Sequence, residues 1–130
     1  MTMGPVYGYA SQPLRHSKTP PVTSEALLVL TTCSNAKEAA RLADALVEER
    51  LAACVCRMED IVSTYRWESK IQQDEEILVL VKTTSDCYQA LEKMILQLTS
   101  YELPEIIAIP VQGGSPDYMK WLKAAVSSEE

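Results

Sequence analysis

One thiol and two carboxylates of this sequence could together hold a soft or borderline metal ion. Cys33 follows a short apolar run, and Glu102 and Glu105 lie on either side of Pro104. A thiolate with carboxylate oxygens could bind a soft or borderline divalent ion, Cu or Zn, weakly, with a neighbouring subunit completing the coordination shell. The alternative is structural: Cys33 packs in the core, Glu105 makes a hydrogen bond and Tyr101 seals an interface.

A second group of residues could line a small-molecule pocket between subunits. Aromatic residues at these spacings also form interface cores, which is the interpretation we favour for them. The group consists of Thr31, Tyr65, Trp67, Tyr101, Tyr118 and Trp121.

Two acidic runs offer carboxylates to hard cations, Glu59-Asp60 and residues 74–76. Such runs more often form a solvated edge that discourages strand addition, and we interpret them in this way.

The sequence predicts a protein without enzymatic activity. A cysteine nucleophile needs a base nearby, and the one histidine, His16, lies in the N-terminal segment. The sequence contains no glycine-rich phosphate motif and no G-x-S-x-G motif.

Charge argues against a nucleic-acid partner. The 130 residues carry a net charge of −6, and residues 1–24 hold Arg15 and Lys18 but no acid, so that residues 25–130 carry 18 acids against 10 bases. A domain this acidic repels phosphate backbones. No apolar run reaches the roughly 18 residues of a membrane span, and we therefore expect no membrane partner.

The four cysteines are predicted to be reduced thiols. Cys54 and Cys56 are two residues apart on a predicted strand and therefore point to the same face, without the second pair that a zinc site needs. Reduced thiols predict a cytoplasmic protein. The alternative is an organelle, if residues 1–24 are the remnant of a transit segment rather than a flexible extension.

Hydrophobic periodicity predicts the elements that position these residues. The chain from 53 to 84 is predicted to be one long β-hairpin that turns at Glu68-Ser69-Lys70 and is interrupted by a bulge or a short bend at Glu59-Asp60. The other predicted elements are a strand at 26–30, a helix at 35–50 with an Asn35/Glu38 capping box, a helix capped by Ser85, a strand at 105–111 and a short helix after Ser115-Pro116.

This order predicts an α+β fold of the ferredoxin-like class, β-α-β-β-α-β with a four-stranded antiparallel sheet and a short C-terminal helix, in residues 25–130. Three of the four strands have apolar residues at both odd and even positions and therefore on both faces of the sheet, but the two long helices cover only one face. Another subunit is therefore expected to bury the second face.

Six ordered sequence blocks carry a resemblance to a known family. The blocks are TTCSN (31–35), ERLAACV (49–55), YRWESK (65–70), KT (82–83), YELPEII (101–107) and DYMKWL (117–122). Together they resemble the CutA family of divalent-cation tolerance proteins.

The resemblance implies a homotrimer in which the long hairpin reaches neighbouring subunits, an architecture similar to that of the PII signalling proteins, and a role in tolerance of divalent metal ions such as copper. The alternatives are a PII-like sensor of small molecules and a trimer that scaffolds a partner protein. Two features differ from the family. Ser69 stands where the family usually has glycine, and Thr31, Leu98 and Thr99 stand where members with a proposed copper site have cysteine and histidine.

Overall fold

The sheet is antiparallel throughout, with the strand order β2-β3-β1-β4. A computed structural model describes residues 25–127, and the extension predicted for residues 1–24 lies outside the described residues. The elements are β1 (Ala26–Cys33), α1 (Ala36–Glu48), β2 (Cys54–Trp67), β3 (Lys70–Thr84), a 3-10 turn (Ser85–Cys87), α2 (Tyr88–Leu98), β4 (Ile106–Pro110) and α3 (Pro116–Ala125). The predicted ferredoxin-like α+β fold is confirmed.

Helix α1 begins with half of the predicted capping box. Asn35 Oδ1 accepts a 2.8 Å hydrogen bond from the Glu38 amide, which satisfies one of the free amides of the first turn. The Glu38 carboxylate bonds elsewhere: it accepts from Ser34 Oγ at 2.7 Å, and from the amide and hydroxyl of Ser100 at 2.9 Å each. Glu38 therefore ties the start of α1 to the loop after α2.

Ser85 does not cap α2 as predicted. Its hydroxyl accepts a 3.0 Å hydrogen bond from the Glu25 amide, and its own amide donates to the Glu25 carbonyl at 2.7 Å. The 3-10 turn separates Ser85 from the α-helix. A long-range contact with the start of β1 has therefore replaced the local cap.

The long hairpin contains a bulge at the predicted position, and it turns at Glu68-Ser69, whereas Lys70, the third predicted turn residue, begins β3 and pairs with Trp67. Met58 pairs with Leu78 and Ile61 with Glu76, so that Glu59 and Asp60 stand together opposite a single residue of β3. At the other end Glu68 and Ser69 form a two-residue turn with φ of 52° and 69°, as a type I′ turn requires.

The helices cover only one face of the sheet. On this face, alternate residues of the strands pack against α1 and α2 in one continuous core. The core includes Val29, Val79 and Val81 from the strands and Leu42, Leu46, Leu91 and Ile95 from the helices. The intervening strand residues point to the opposite side of the sheet, which we call the second face. Its central apolar side chains are Leu28, Leu30, Leu78, Leu80, Ile107 and Ile109. Ile107 and Ile109 are 47% and 41% exposed, and the four leucines are half-buried.

No helix in residues 25–127 is both long enough and apolar enough to span a bilayer.

Candidate functional site

A cleft of about 570 Å³ lies between the hairpin and the loop that leads into β4. Because cross-strand partners share a face, Ser63, Tyr65 and Glu76 place the cleft at the hairpin end of the second face. Its lining residues are Thr32, Ser63, Thr64, Tyr65, Trp67, Glu76, Tyr101, Glu102, Leu103 and Glu105.

Glu76 organises the hydrogen bonds of the cleft. The Tyr101 hydroxyl donates to Glu76 Oε2 at 2.6 Å, and Ser63 Oγ donates to Glu76 Oε1 at 2.6 Å. Desolvation raises the pKa of Tyr101, and its hydrogen bond to the Glu76 carboxylate raises that pKa further. The phenol therefore stays neutral and acts as a donor at physiological pH.

A second phenol is held in the same way. The Tyr65 hydroxyl donates to Asp74, and this hydrogen bond is the main reason that the pKa of Tyr65 is raised. Both tyrosines are thus positioned by carboxylates of β3.

The cleft is suited to a cationic ligand. Glu76, Glu102 and Glu105 contribute carboxylates, and no basic side chain of the described chain lies in the lining. Trp67 and Tyr65 add aromatic rings, whose faces attract cations.

The predicted metal ligands are not brought together. Glu102 and Glu105 line the cleft, but Cys33 pairs with Ile77 on the helix-covered face and is 2% exposed. Within residues 25–127, no three His, Cys, Asp or Glu side chains are grouped so that they could hold a metal ion. The sheet separates the thiol from the carboxylates because side chains alternate along β1.

The environment of Cys33 disfavours the thiolate. Desolvation raises the pKa of Cys33 to about 11, and the negative charges of Glu38 and Glu76 add to the shift. Metal ligation requires the thiolate, so that binding at Cys33 would have to remove a proton that the environment retains.

Thr31 lies on the same buried side as Cys33. Both residues line an internal cavity of about 10 Å³, apart from the cleft. Thr31 Oγ1 is buried and has no hydrogen-bond partner among the described residues. Thr31 therefore is not part of the cleft in this chain.

The aromatic group is divided between two places. Tyr65, Trp67 and Tyr101 line the cleft. Tyr118 and Trp121 pack against each other on α3, with ring centroids 5.3 Å apart. Lys82 Nζ is 3.3 Å from the Tyr118 hydroxyl and 5.4 Å from the centre of its ring.

The sequence interpretation missed Glu76, together with Thr32, Ser63, Thr64 and Leu103. We interpreted the run 74–76 as a solvated edge, but Glu76 is half-buried and both of its oxygens accept hydrogen bonds. Its parity was the available signal: Glu76 alternates with Leu78 and Leu80, which places it on the second face.

The family follows from a match over almost all of the described chain. The family model for the CutA1 divalent ion tolerance protein matches residues 27–125, from the first strand to the last helix. The chain belongs to the CutA1 family. The family assignment made from the six sequence blocks is thereby confirmed.

Individual relatives agree with this assignment. The chain is 42% identical over 96 residues to the divalent-cation tolerance protein CutA of Thermus thermophilus, covering 74% of this chain and 93% of that protein. It is 39% identical over 118 residues to mouse protein CutA, covering 91% of this chain and 67% of the mouse protein. The crystal structure of CutA from Xylella fastidiosa superposes with a TM-score of 0.78 at 38% identity, covering 80% of this chain and all of that one.

The names of the relatives refer to more than one cellular compartment. A CutA protein of Arabidopsis thaliana, 39% identical and 56% spanned by this chain, is named chloroplastic. A structure from Archaeoglobus fulgidus, 32% identical with a TM-score of 0.76 and covering 78% of this chain and 99% of that one, is named periplasmic.

Proposed function

We propose that this CutA-family chain acts in tolerance of, or response to, divalent metal ions such as copper, without a catalytic step. The observation that carries the proposal is the family match over residues 27–125. The absence of a catalytic step is part of the proposal, and it draws on Cys33, whose thiol is buried and has a pKa raised to about 11, which disfavours the nucleophilic thiolate.

The mode of action that we propose is weak metal binding or a regulatory contact at the cleft. Glu102 and Glu105 remain the proposed ligands because both line the cleft, whereas Cys33 lies on the other side of the sheet. Two carboxylates do not complete a coordination shell for Zn or Cu, so that affinity is weak unless a neighbouring subunit contributes a ligand.

We propose that the chain is a homotrimer that buries the second face. The half-buried leucines of β1 and β3, together with the exposed Ile107 and Ile109, form an apolar surface that would cost free energy in water. Light scattering after gel filtration should give three chain masses, and Ile107→Glu should produce smaller species. A monomeric parent protein would contradict the proposal.

A Zn²⁺ titration followed by thermal melting tests the metal proposal. The Cys54→Ser/Cys56→Ser background keeps the two thiols of β2 from contributing. We expect Zn²⁺ near micromolar concentration or above to raise Tm, and Glu102→Gln/Glu105→Gln to remove that rise. Cys33→Ser is the matched control and should keep it. A rise that survives the loss of both carboxylates would place the site elsewhere.

The cleft also favours a second candidate function, sensing of a small molecule in the manner of a PII-like regulator. Its volume of about 570 Å³ is within the range of small-molecule pockets, and its carboxylates and aromatic rings suit an organic cation. Organic amines should then quench the fluorescence of Trp67. Trp67→Phe should abolish that response, whereas Trp121→Phe should preserve it. A trimer that only scaffolds a partner protein would respond to neither metals nor small molecules.

We propose a cytoplasmic location, with an organelle as the alternative. The four described cysteines are free thiols, which suits a reducing compartment. Imaging of the full chain fused to a fluorescent protein in its native cell distinguishes the two locations.

A further inference from the structure

Three sulfur side chains stand in a row on β2. Cys54, Cys56 and Met58 occupy alternate positions of the strand and therefore project from the same face. Cys56 is exposed, Met58 is 49% exposed and Cys54 is half-buried. Because β2 is an edge strand of the sheet, this sulfur row borders the second face rather than occupying its centre.

The spacing of the two thiols matches that of two ligands on one ion. Cys54 Sγ and Cys56 Sγ are 3.9 Å apart. Two sulfurs bound at about 2.3 Å to one tetrahedral ion lie roughly 3.8 Å apart. A disulfide is less favourable, because Cα atoms two residues apart on a strand are separated by roughly 6.6 Å, near the upper limit for a disulfide.

The surroundings of the sulfur row suit a soft ion of low charge. Cys56 pairs with Leu80 and Met58 with Leu78, so that the sulfurs of these two residues lie beside hydrocarbon. Cys54 pairs with Lys82, whose ammonium favours the thiolate electrostatically. None of these cross-strand partners supplies the oxygen ligands that a hard divalent ion requires.

We propose that Cys54, Cys56 and Met58 form a binding site for Cu(I), the thiophilic ion that two thiolates and a thioether select. The inference deepens the proposed function, on which its role in the cell rests, by naming a soft monovalent ion and a site apart from the cleft. On binding, both thiols release their protons to solvent and copper remains Cu(I), so that no electron is transferred.

The electrostatic surroundings of Cys54 act in opposite directions. Burial raises the pKa of Cys54, the neighbouring Cys56 thiol raises it further, and the Lys82 ammonium opposes the shift. Lys82 in turn faces the Tyr118 hydroxyl of α3.

Anaerobic competition of the reduced full chain against the Cu(I) chelator bicinchoninate tests the site. We expect one Cu(I) per chain and sulfur-only coordination in X-ray absorption. Cys56→Ser should weaken binding by about 100-fold or more, and Met58→Leu by about tenfold, since even outer-shell partners contribute factors of that size. Cys87 is a half-buried thiol outside the row, so Cys87→Ser is the matched control. This variant should bind Cu(I) as tightly as the parent protein does.

Parent-like Cu(I) affinity in Cys56→Ser and in Cys54→Ser/Cys56→Ser would overturn the inference. Cys56 is exposed, so its serine variant should stay folded even if the Cys54 substitution is disruptive. Failure here together with a Zn²⁺ response that depends on Glu102 and Glu105 would leave the proposed function intact. Cu(I) binding that depends on Cys56, together with a Zn²⁺ response that does not depend on Glu102 and Glu105, would contradict only the carboxylate site.

Discussion

Tyr101 and Glu76 are joined by a 2.6 Å hydrogen bond that ties the loop before β4 to β3 across the cleft. Ser63 donates to the other oxygen of the same carboxylate. The two donors fix the orientation of Glu76, and thereby shape the cleft from the hairpin side and the loop side together.

Tyr101→Phe should lower the free energy of unfolding by about 1 kcal/mol, because a hydrogen bond to a charged acceptor is lost at a half-exposed position. Urea denaturation measures the change. Tyr118→Phe is the matched control. The Tyr118 hydroxyl accepts a 3.3 Å hydrogen bond from Lys82 in an exposed contact, and its removal should lower the free energy of unfolding by less than about 0.5 kcal/mol. Equal losses in the two variants would contradict the role of Glu76 as an organising acceptor.

Glu38→Gln should flatten the acid side of the stability curve. Burial alone would raise the pKa of Glu38, but hydrogen bonds from Ser34 and Ser100 outweigh it and lower that pKa below 4.5. A carboxyl group with a lowered folded-state pKa stabilises the fold above its unfolded pKa and loses this contribution as pH falls.

Urea denaturation between about pH 6 and pH 3 should therefore show a smaller acid-induced loss in Glu38→Gln than in the parent. Glu48→Gln, at the exposed end of α1, should keep the parent slope. A parent slope in Glu38→Gln would mean that its three hydrogen bonds contribute no net stability.

Thr31→Val should raise the free energy of unfolding by about 1 kcal/mol, because it removes a buried hydroxyl that has no partner among the described residues. Thr83→Val is the opposite case. The Thr83 hydroxyl is buried and donates to the Leu51 carbonyl at 2.6 Å, so that its loss should destabilise by about 1 to 3 kcal/mol. Thermal melts that shift in the same direction would disprove the prediction.

Ser69→Gly should stabilise the hairpin by up to about 1 kcal/mol, because Ser69 has a φ of 69° that glycine adopts without steric cost. Chemical denaturation measures the gain. Ser100→Gly serves as control: Ser100 is not among the residues with positive φ, and its hydroxyl bonds Glu38, so that the substitution should destabilise. A loss of stability in Ser69→Gly would mean that backbone entropy outweighs the relief of strain.

Short-range patterns in the sequence determined the order of the elements, the bulge at Glu59-Asp60, the two-residue turn and the cap at Asn35. Each depends on neighbours a few residues apart: alternation along a strand, 3.6-residue periodicity along a helix, or a side chain that reaches the next turn. The six sequence blocks also determined the family. Local rules failed where a distant partner competed, as at Ser85, whose hydroxyl bonds the Glu25 amide instead of α2.

Only the tertiary structure decided which candidates share a site. Cys33 and Glu105 lie near the same end of the sheet, but strand parity places Cys33 beneath the helices and leaves the carboxylate in the cleft. Strand parity places Glu76 on the second face, but only packing brings Tyr101, 25 residues away in sequence, close enough to donate to it. Sequence spacing specifies the face of each strand, but the meeting of two loops and the desolvation of a thiol depend on packing between elements that are distant in the chain.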